Sequence, residues 1–101
     1  MGCGVIAEPD APIGWNGSAG VRSVTLFGPA PLIENGFSHF DIYAGAANSA
    51  FESAEKIGRT ESSVFTYTVP AESTHARYWV VEIDTDGNAS LPSNAVDTTP
   101  T

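Results

Sequence analysis

The residues able to do chemistry are few and scattered. There are two histidines, His39 and His75, and one cysteine, Cys3. No HxxxH or HExxH spacing joins the histidines, and Cys3 lies far along the chain from both. Neither a Gly-x-Ser-x-Gly turn nor a phosphate-cradling glycine loop occurs. Surface imidazoles are the plain reading of His39 and His75, and catalysis is not expected. Asp84-Thr85-Asp86-Gly87-Asn88 offers oxygen ligands at alternate positions, as a calcium loop does. Its glycine comes too early for that spacing, and Ala95 stands where the bidentate Glu belongs. A tight turn accounts for the same residues, because Asp and Asn bond their own backbone and Gly supplies positive φ. Nothing in the sequence asks for a metal or a cofactor.

Composition narrows the partners. The chain has 101 residues and a formal net charge of −8, with four cations in all, Arg22, Lys56, Arg59 and Arg77. Nucleic-acid binding needs clustered Lys and Arg to neutralise phosphate, so no nucleic-acid partner is expected. Docking on anionic lipid is disfavoured for the same reason, and no apolar run reaches spanning length, so no membrane is expected. With one cysteine the fold cannot rest on an internal disulfide. Ten per cent aromatic and 42% hydrophobic residues suffice for one packed core.

The elements that hold these residues read as strands. Residues 1–11 end in Glu8-Pro9-Asp10-Ala11-Pro12 and are expected to form an extended arm, with Val5 and Ile6 its adhesive side chains. Asn16 to Gly20 reads as a turn cluster, and Val21 to Phe27 as a strand with Val24 and Leu26 on one face. Pro29 to Gly36 has the composition of a connection between two sheets. Phe37 to Tyr43 alternates, turning Phe40 and Ile42 inward and His39, Asp41 and Tyr43 outward. The stretch from Ala44 to Ser63 could carry a short helix from Ser49. The favoured reading is a loop with one helical turn, then an edge strand over Lys56–Thr60. Val64 to Val69 alternates, with Phe65, Tyr67 and Val69 on one side. Arg77 to Ile83 is a long strand, followed by the Asp84 turn, an irregular Leu91-Pro92-Ser93-Asn94 loop and a return strand over Ala95–Thr99. About seven short strands with regular turn signals and no useful amphipathic helix make an antiparallel β-sandwich over residues 12–101.

The closing segment supports a resemblance. Tyr78, Val80, Ile83-Asp84, Gly87-Asn88, Ser90 and Ser93-Asn94 form a run similar to the last two strands of fibronectin type III domains of the bacterial and phage sort. Pro12-Ile13-Gly14-Trp15 resembles that family's opening strand, and Phe40-Asp41-Ile42-Tyr43 its third. One departure stands out: Gly28 occupies the place of a core tryptophan, so Trp15 or Phe27 must fill the space. The resemblance implies an all-β, immunoglobulin-like sandwich of seven strands and a non-enzymatic role.

The long strand sets the partner question. Trp79, Val81 and Ile83 share one parity, and Tyr78, Val80 and Glu82 the other. Periodicity alone buries the Trp79 side, because Glu82 spoils its opposite. The family register instead buries Tyr78 and Val80, leaving Trp79 and Val81 outside beside Tyr43 and His39, an exposed aromatic patch that marks an interface. The competing reading makes Trp79 core, or covers it with the 44–60 loop. On architecture and family habit the chain is expected to be a tailed-phage virion component, a capsid decoration, collar or tail accessory. It would be made in the host cytoplasm and dock on virion proteins, or on copies of itself, through the arm or the Trp79 face. The alternative is a spacer or carbohydrate-binding module of a larger secreted bacterial enzyme.

Overall fold

The computed structural model describes residues 11–30 and 36–99. Seven strands run in the order β1 (Asn16–Gly20), β2 (Ser23–Phe27), β3 (Phe37–Ala46), β4 (Glu55–Thr60), β5 (Val64–Thr68), β6 (His75–Asp84) and β7 (Val96–Asp97). They form a three-stranded sheet, β1-β2-β5, packed on a four-stranded sheet, β4-β3-β6-β7. Every pairing is antiparallel. This is the seven-stranded, immunoglobulin-like sandwich of the fibronectin type III kind that the sequence implied. The expected arm lies almost wholly outside the described residues, Val5 and Ile6 included.

Between the sheets, Val24 and Leu26 of β2 meet Phe40, Ile42 and Ala44 of β3 and Tyr78 and Val80 of β6, with Trp15, Val69 and Val96 completing the core. Alternation puts them there, since every second side chain of a strand faces the same way. Phe65 and Tyr67 pack against this core from β5.

Two expectations at the start of the chain are corrected. Asn16–Gly20 is a strand, paired with β2 along its whole length, and the reversal falls on Val21-Arg22, with Arg22 at φ 55°. Its small residues serve packing rather than turning. A Cβ on Gly17 would stand 2.9 Å from Val96 Cγ1 and 3.1 Å from Thr98 Cγ2, so glycine lets the sheet edges close. Pro12–Trp15 is irregular rather than an opening strand.

The indole expected from the family's second strand has moved. Trp15, 2% exposed, lies over Gly28 and meets Phe40 edge to face at 5.2 Å. A Cβ on Gly28 would sit 2.6 Å from the Trp15 ring, so this position stays bare because the ring fills it. Trp15 is the replacement, not Phe27, which faces outward. The Asn94 side chain holds Trp15 by its backbone. Its Oδ1 accepts from Trp15 N at 3.3 Å, and its Nδ2 donates to Trp15 O at 2.9 Å.

The middle of the chain follows expectation. One 3-10 turn, Phe51–Ser53, precedes the edge strand. The return strand is shorter than expected, only Val96–Asp97, because two serines do the pairing work before it. Ser93 Oγ accepts from Val80 N at 2.9 Å while Ser93 N donates to Val80 O at 2.8 Å. Ser90 repeats this on Glu82, again at 2.9 Å in both directions. The β6 edge is thereby satisfied without a ladder, which buried amides require.

Candidate functional site

Four of the candidate partner residues, His39, Tyr43, Trp79 and Val81, share one sheet face, while Val5 and Ile6 lie outside the described residues. Tyr43 pairs with Trp79, Asp41 with Val81 and His39 with Ile83, all on the outer face of the four-stranded sheet. The family register therefore holds, with Tyr78 and Val80 inside. The expected exposure does not. Trp79 is 5% exposed and Val81 4%. The β3–β4 connection folds back and seats Phe51 edge to face on both Tyr43, at 5.0 Å, and Trp79, at 5.8 Å. Arg77 fixes this cover by donating from Nη1 to Ser49 O at 3.1 Å, and grips Asp97 through Nε at 2.6 Å and Nη2 at 3.1 Å. Gly45 makes the close approach feasible, since a Cβ there would lie 2.7 Å from Ser49 Oγ and 3.4 Å from the Trp79 ring. A single aromatic residue, Phe51, in a loop otherwise built of alanine and small or polar residues was the signal for this closure.

Both histidines are braced. His39 Nδ1 lies 2.9 Å from Ser38 Oγ, and its Nε2 lies 3.1 Å from Asp41 Oδ1. Serine, histidine and aspartate within reach are the parts of acyl transfer, but there Nε2 faces the hydroxyl and Nδ1 the carboxylate. Here the nitrogens are reversed. Lys56 Nζ also sits 3.1 Å from the same Asp41 oxygen. Among the described residues that buried oxygen accepts no hydrogen bond of good geometry, so proximity to Lys56 and His39 is its only compensation there.

His75 joins the two sheets. Its Nε2 contacts Glu55 Oε1 at 2.8 Å on β4, and its Nδ1 contacts the Tyr67 hydroxyl at 3.3 Å on β5. Both ring nitrogens of His75 are thereby engaged, one on each sheet. These residues line an open cleft of about 580 Å³ with Ile57, Glu72 and Ser73. Burial, then the charge of Glu55, raises the Tyr67 pKa, so its phenol stays protonated and is a weak nucleophile. The cluster clamps the sheet edges rather than activating a hydroxyl.

The Asp84 turn is closed on itself. Asp84 Oδ1 accepts from Asn88 N at 2.8 Å and Asp86 N at 3.0 Å, while Oδ2 accepts from Asn88 Nδ2 at 3.1 Å. Gly87 takes φ 87°. The Asn88 amide above all holds the Asp84 carboxyl below its ordinary pKa, its partial burial opposing. Both carboxylate oxygens that a cation would use are thus engaged by the turn. Among the described residues no group of three or more His, Cys, Asp or Glu is disposed to hold a metal ion.

The surface that sequence reasoning missed is the outer face of β1-β2-β5. Ser18, Thr25 and Thr66 form one cross-strand row, and Asn16, Phe27 and Val64 the next. Gly20, Ser23 and Thr68 make the third. Thr25 Oγ1 and Thr66 Oγ1 are 3.2 Å apart. Phe27 and Val64, directly opposite each other, are 41% and 48% exposed. No member of the three rows ionises. The signal was present in the parity of β2, which sends Thr25 and Phe27 outward once Val24 and Leu26 point in. It was hidden because β1 read as a turn.

Comparison with known proteins gives the fold a context. No protein-family model matches the chain, and no curated protein matches its sequence. Solved structures do match. An Fn3-like protein from Clostridium thermocellum superposes with a TM-score of 0.71 at 17% identity, covering 94% of this chain and 96% of that one. The fibronectin type III domain of human fibronectin type III domain containing protein 3 gives 0.71 at 20% identity, over 99% and 94%. A β-1,2-glucanase from Parabacteroides distasonis gives 0.72 at 17% identity, covering 96% of this chain but 14% of the glucanase. Several matched chains are larger, and this chain spans 14% to 32% of them. These neighbours fix the fold as fibronectin type III-like; at such identities they carry no activity across.

Proposed function

We propose that this chain is a non-catalytic structural and interaction module that docks through the outer face of its three-stranded sheet. The observation that carries the reading is the contrast between the two outer faces. On one, the chain's own Phe51 caps Tyr43 and Trp79, while the other presents Phe27 and Val64 beside rows of hydroxyls to solvent. Domains of this fold are typically modules rather than enzymes, and the histidine clusters are engaged in bracing. The finer proposal is an accessory position on a tailed-phage particle, as decoration, collar or tail component. An acidic body of net charge −8 suits the exterior, away from packaged DNA.

The test is immunogold labelling of particles released by the host that carries the gene, followed by rebinding of purified chain to particles lacking it. Saturable rebinding that Phe27→Asp weakens supports the reading, and absence from every particle fraction rejects the virion assignment. The likeness to part of the glucanase favours a second reading, a spacer or carbohydrate-binding module of a larger secreted enzyme. A native reading frame running on into a hydrolase domain would decide for it.

A further inference from the structure

We propose that the occupant of the three-stranded sheet's outer face is the same face of a second copy of this chain. The inference rests on the docking reading above and supplies its partner. Two physical facts point to self-recognition. First, copies of net charge −8 repel, so a contact between them must exclude carboxylates from both sides. The face does so: from Asn16 and Ser18 through Thr25 and Phe27 to Val64 and Thr66 it bears no ionisable group. Second, a hydroxyl both donates and accepts, so a hydroxyl-lined surface is complementary to itself, as a carboxylate surface is not. Phe27 and Val64 add apolar area that a twofold contact would cover on both copies.

The size of the face sets the strength. Three strands of five residues make a patch about 17 Å long and about 14 Å wide. Two such patches bury roughly 500 Å², below the about 1,200 Å² of stable dimers. Association of free chains is therefore weak, with a Kd on the order of 1 mM or somewhat tighter. It becomes effective where copies are already held side by side on a surface, through high local concentration.

The test is a dilution series followed by amide NMR, from about 1 mM to about 20 µM, with the intact chain. Dilution-dependent shifts are expected at Ser18, Thr25, Phe27, Val64 and Thr66. Raising salt from about 20 mM to about 300 mM should tighten association at least about threefold, because it screens the net repulsion. Thr66→Glu should weaken association at least about tenfold by burying a carboxylate from each copy in the contact. Leu91→Glu adds the same charge at an exposed site in the β6–β7 connection of the other sheet and should weaken it far less. The proposal is overturned by a dilution-invariant spectrum, by shifts that map elsewhere, by weakening with salt, or by a Thr66→Glu chain that associates like the parent. Shifts at these residues that require a neutral oligosaccharide would assign the face to carbohydrate instead. Particle rebinding by a chain that never self-associates would sink this inference and leave the docking reading intact.

Discussion

The exchange between Trp15 and Gly28 can be tested quantitatively. A methyl group on residue 28 would begin 2.6–2.7 Å from three atoms of a ring that is 2% exposed. The ring cannot retreat freely, because Phe40 meets it at 5.2 Å and Asn94 binds its backbone on both sides. Gly28→Ala should therefore destabilise by about 1–3 kcal/mol, the usual range for overpacking a filled core. Restricting the unfolded chain offsets about 0.4–1 kcal/mol of that. Backbone strain is not a competing explanation, since the described glycines with positive φ are Gly14, Gly36 and Gly87. Trp15→Leu alone should cost about 1–3 kcal/mol through lost burial and a residual cavity. In the double variant the alanine methyl enters space the indole has left, so the losses should fall short of their sum by about 1 kcal/mol or more. Urea unfolding of the four chains measures this, with thermal midpoints moving roughly 4–8 °C per kcal/mol as a check. Strict additivity within about 0.5 kcal/mol, or a Gly28→Ala chain as stable as the parent, would show that the ring does not own that space.

Three further outcomes follow from individual contacts. Ser93→Ala leaves the buried Val80 amide without its 2.9 Å acceptor, and should cost about 1–3 kcal/mol with faster hydrogen exchange at Val80. Tyr78→Phe should be neutral or mildly stabilising in chemical unfolding, because the Tyr78 hydroxyl is buried without a partner and burial pushes its pKa up to about 12. The Asp84 carboxyl, held below its ordinary pKa, stabilises the fold above its unfolded value near 3.9, and this contribution is lost as pH falls through the lower folded value. Asp84→Asn should therefore lower stability at neutral pH and flatten its fall below about pH 4, as read by thermal unfolding across pH.

What could be read from the chain divides along burial. Strands with one wet face declared themselves: β5 alternates, and Phe65 and Tyr67 point inward as expected. The closing run was legible because it is chemical as well as periodic. Ser90, Ser93 and Asn94 each answer a specific backbone group, and Asp84 caps its own turn. The start was misread because small residues have two uses. Glycine in a turn and glycine under a neighbouring side chain look alike in sequence, and only the approach of Val96 and Thr98 to Gly17 tells them apart.

The partner face failed for a related reason. Parity chooses a buried side only when the other side is wet, and Tyr78, Trp79, Val80 and Val81 are all buried. One face of β6 packs on the other sheet, and the opposite face packs on Phe51, about thirty residues earlier in the chain and not adjacent by any periodic rule. The fibronectin-like register correctly turned Tyr78 and Val80 inward and Trp79 outward, but outward is not exposed: the competing reading, a cover from the 44–60 connection, holds at Trp79. One aromatic ring from the connection, admitted by a bare Gly45 on β3, turns the outward-facing Trp79 into a buried residue. The surface left for partners is then the one whose side chains are least conspicuous in sequence, threonines and serines with one phenylalanine and one valine. Its distinguishing property is what it lacks, charge, in a chain where acids outnumber bases 12 to 4. That property becomes visible only after register has sorted the residues onto faces, which is why fold could be read before function.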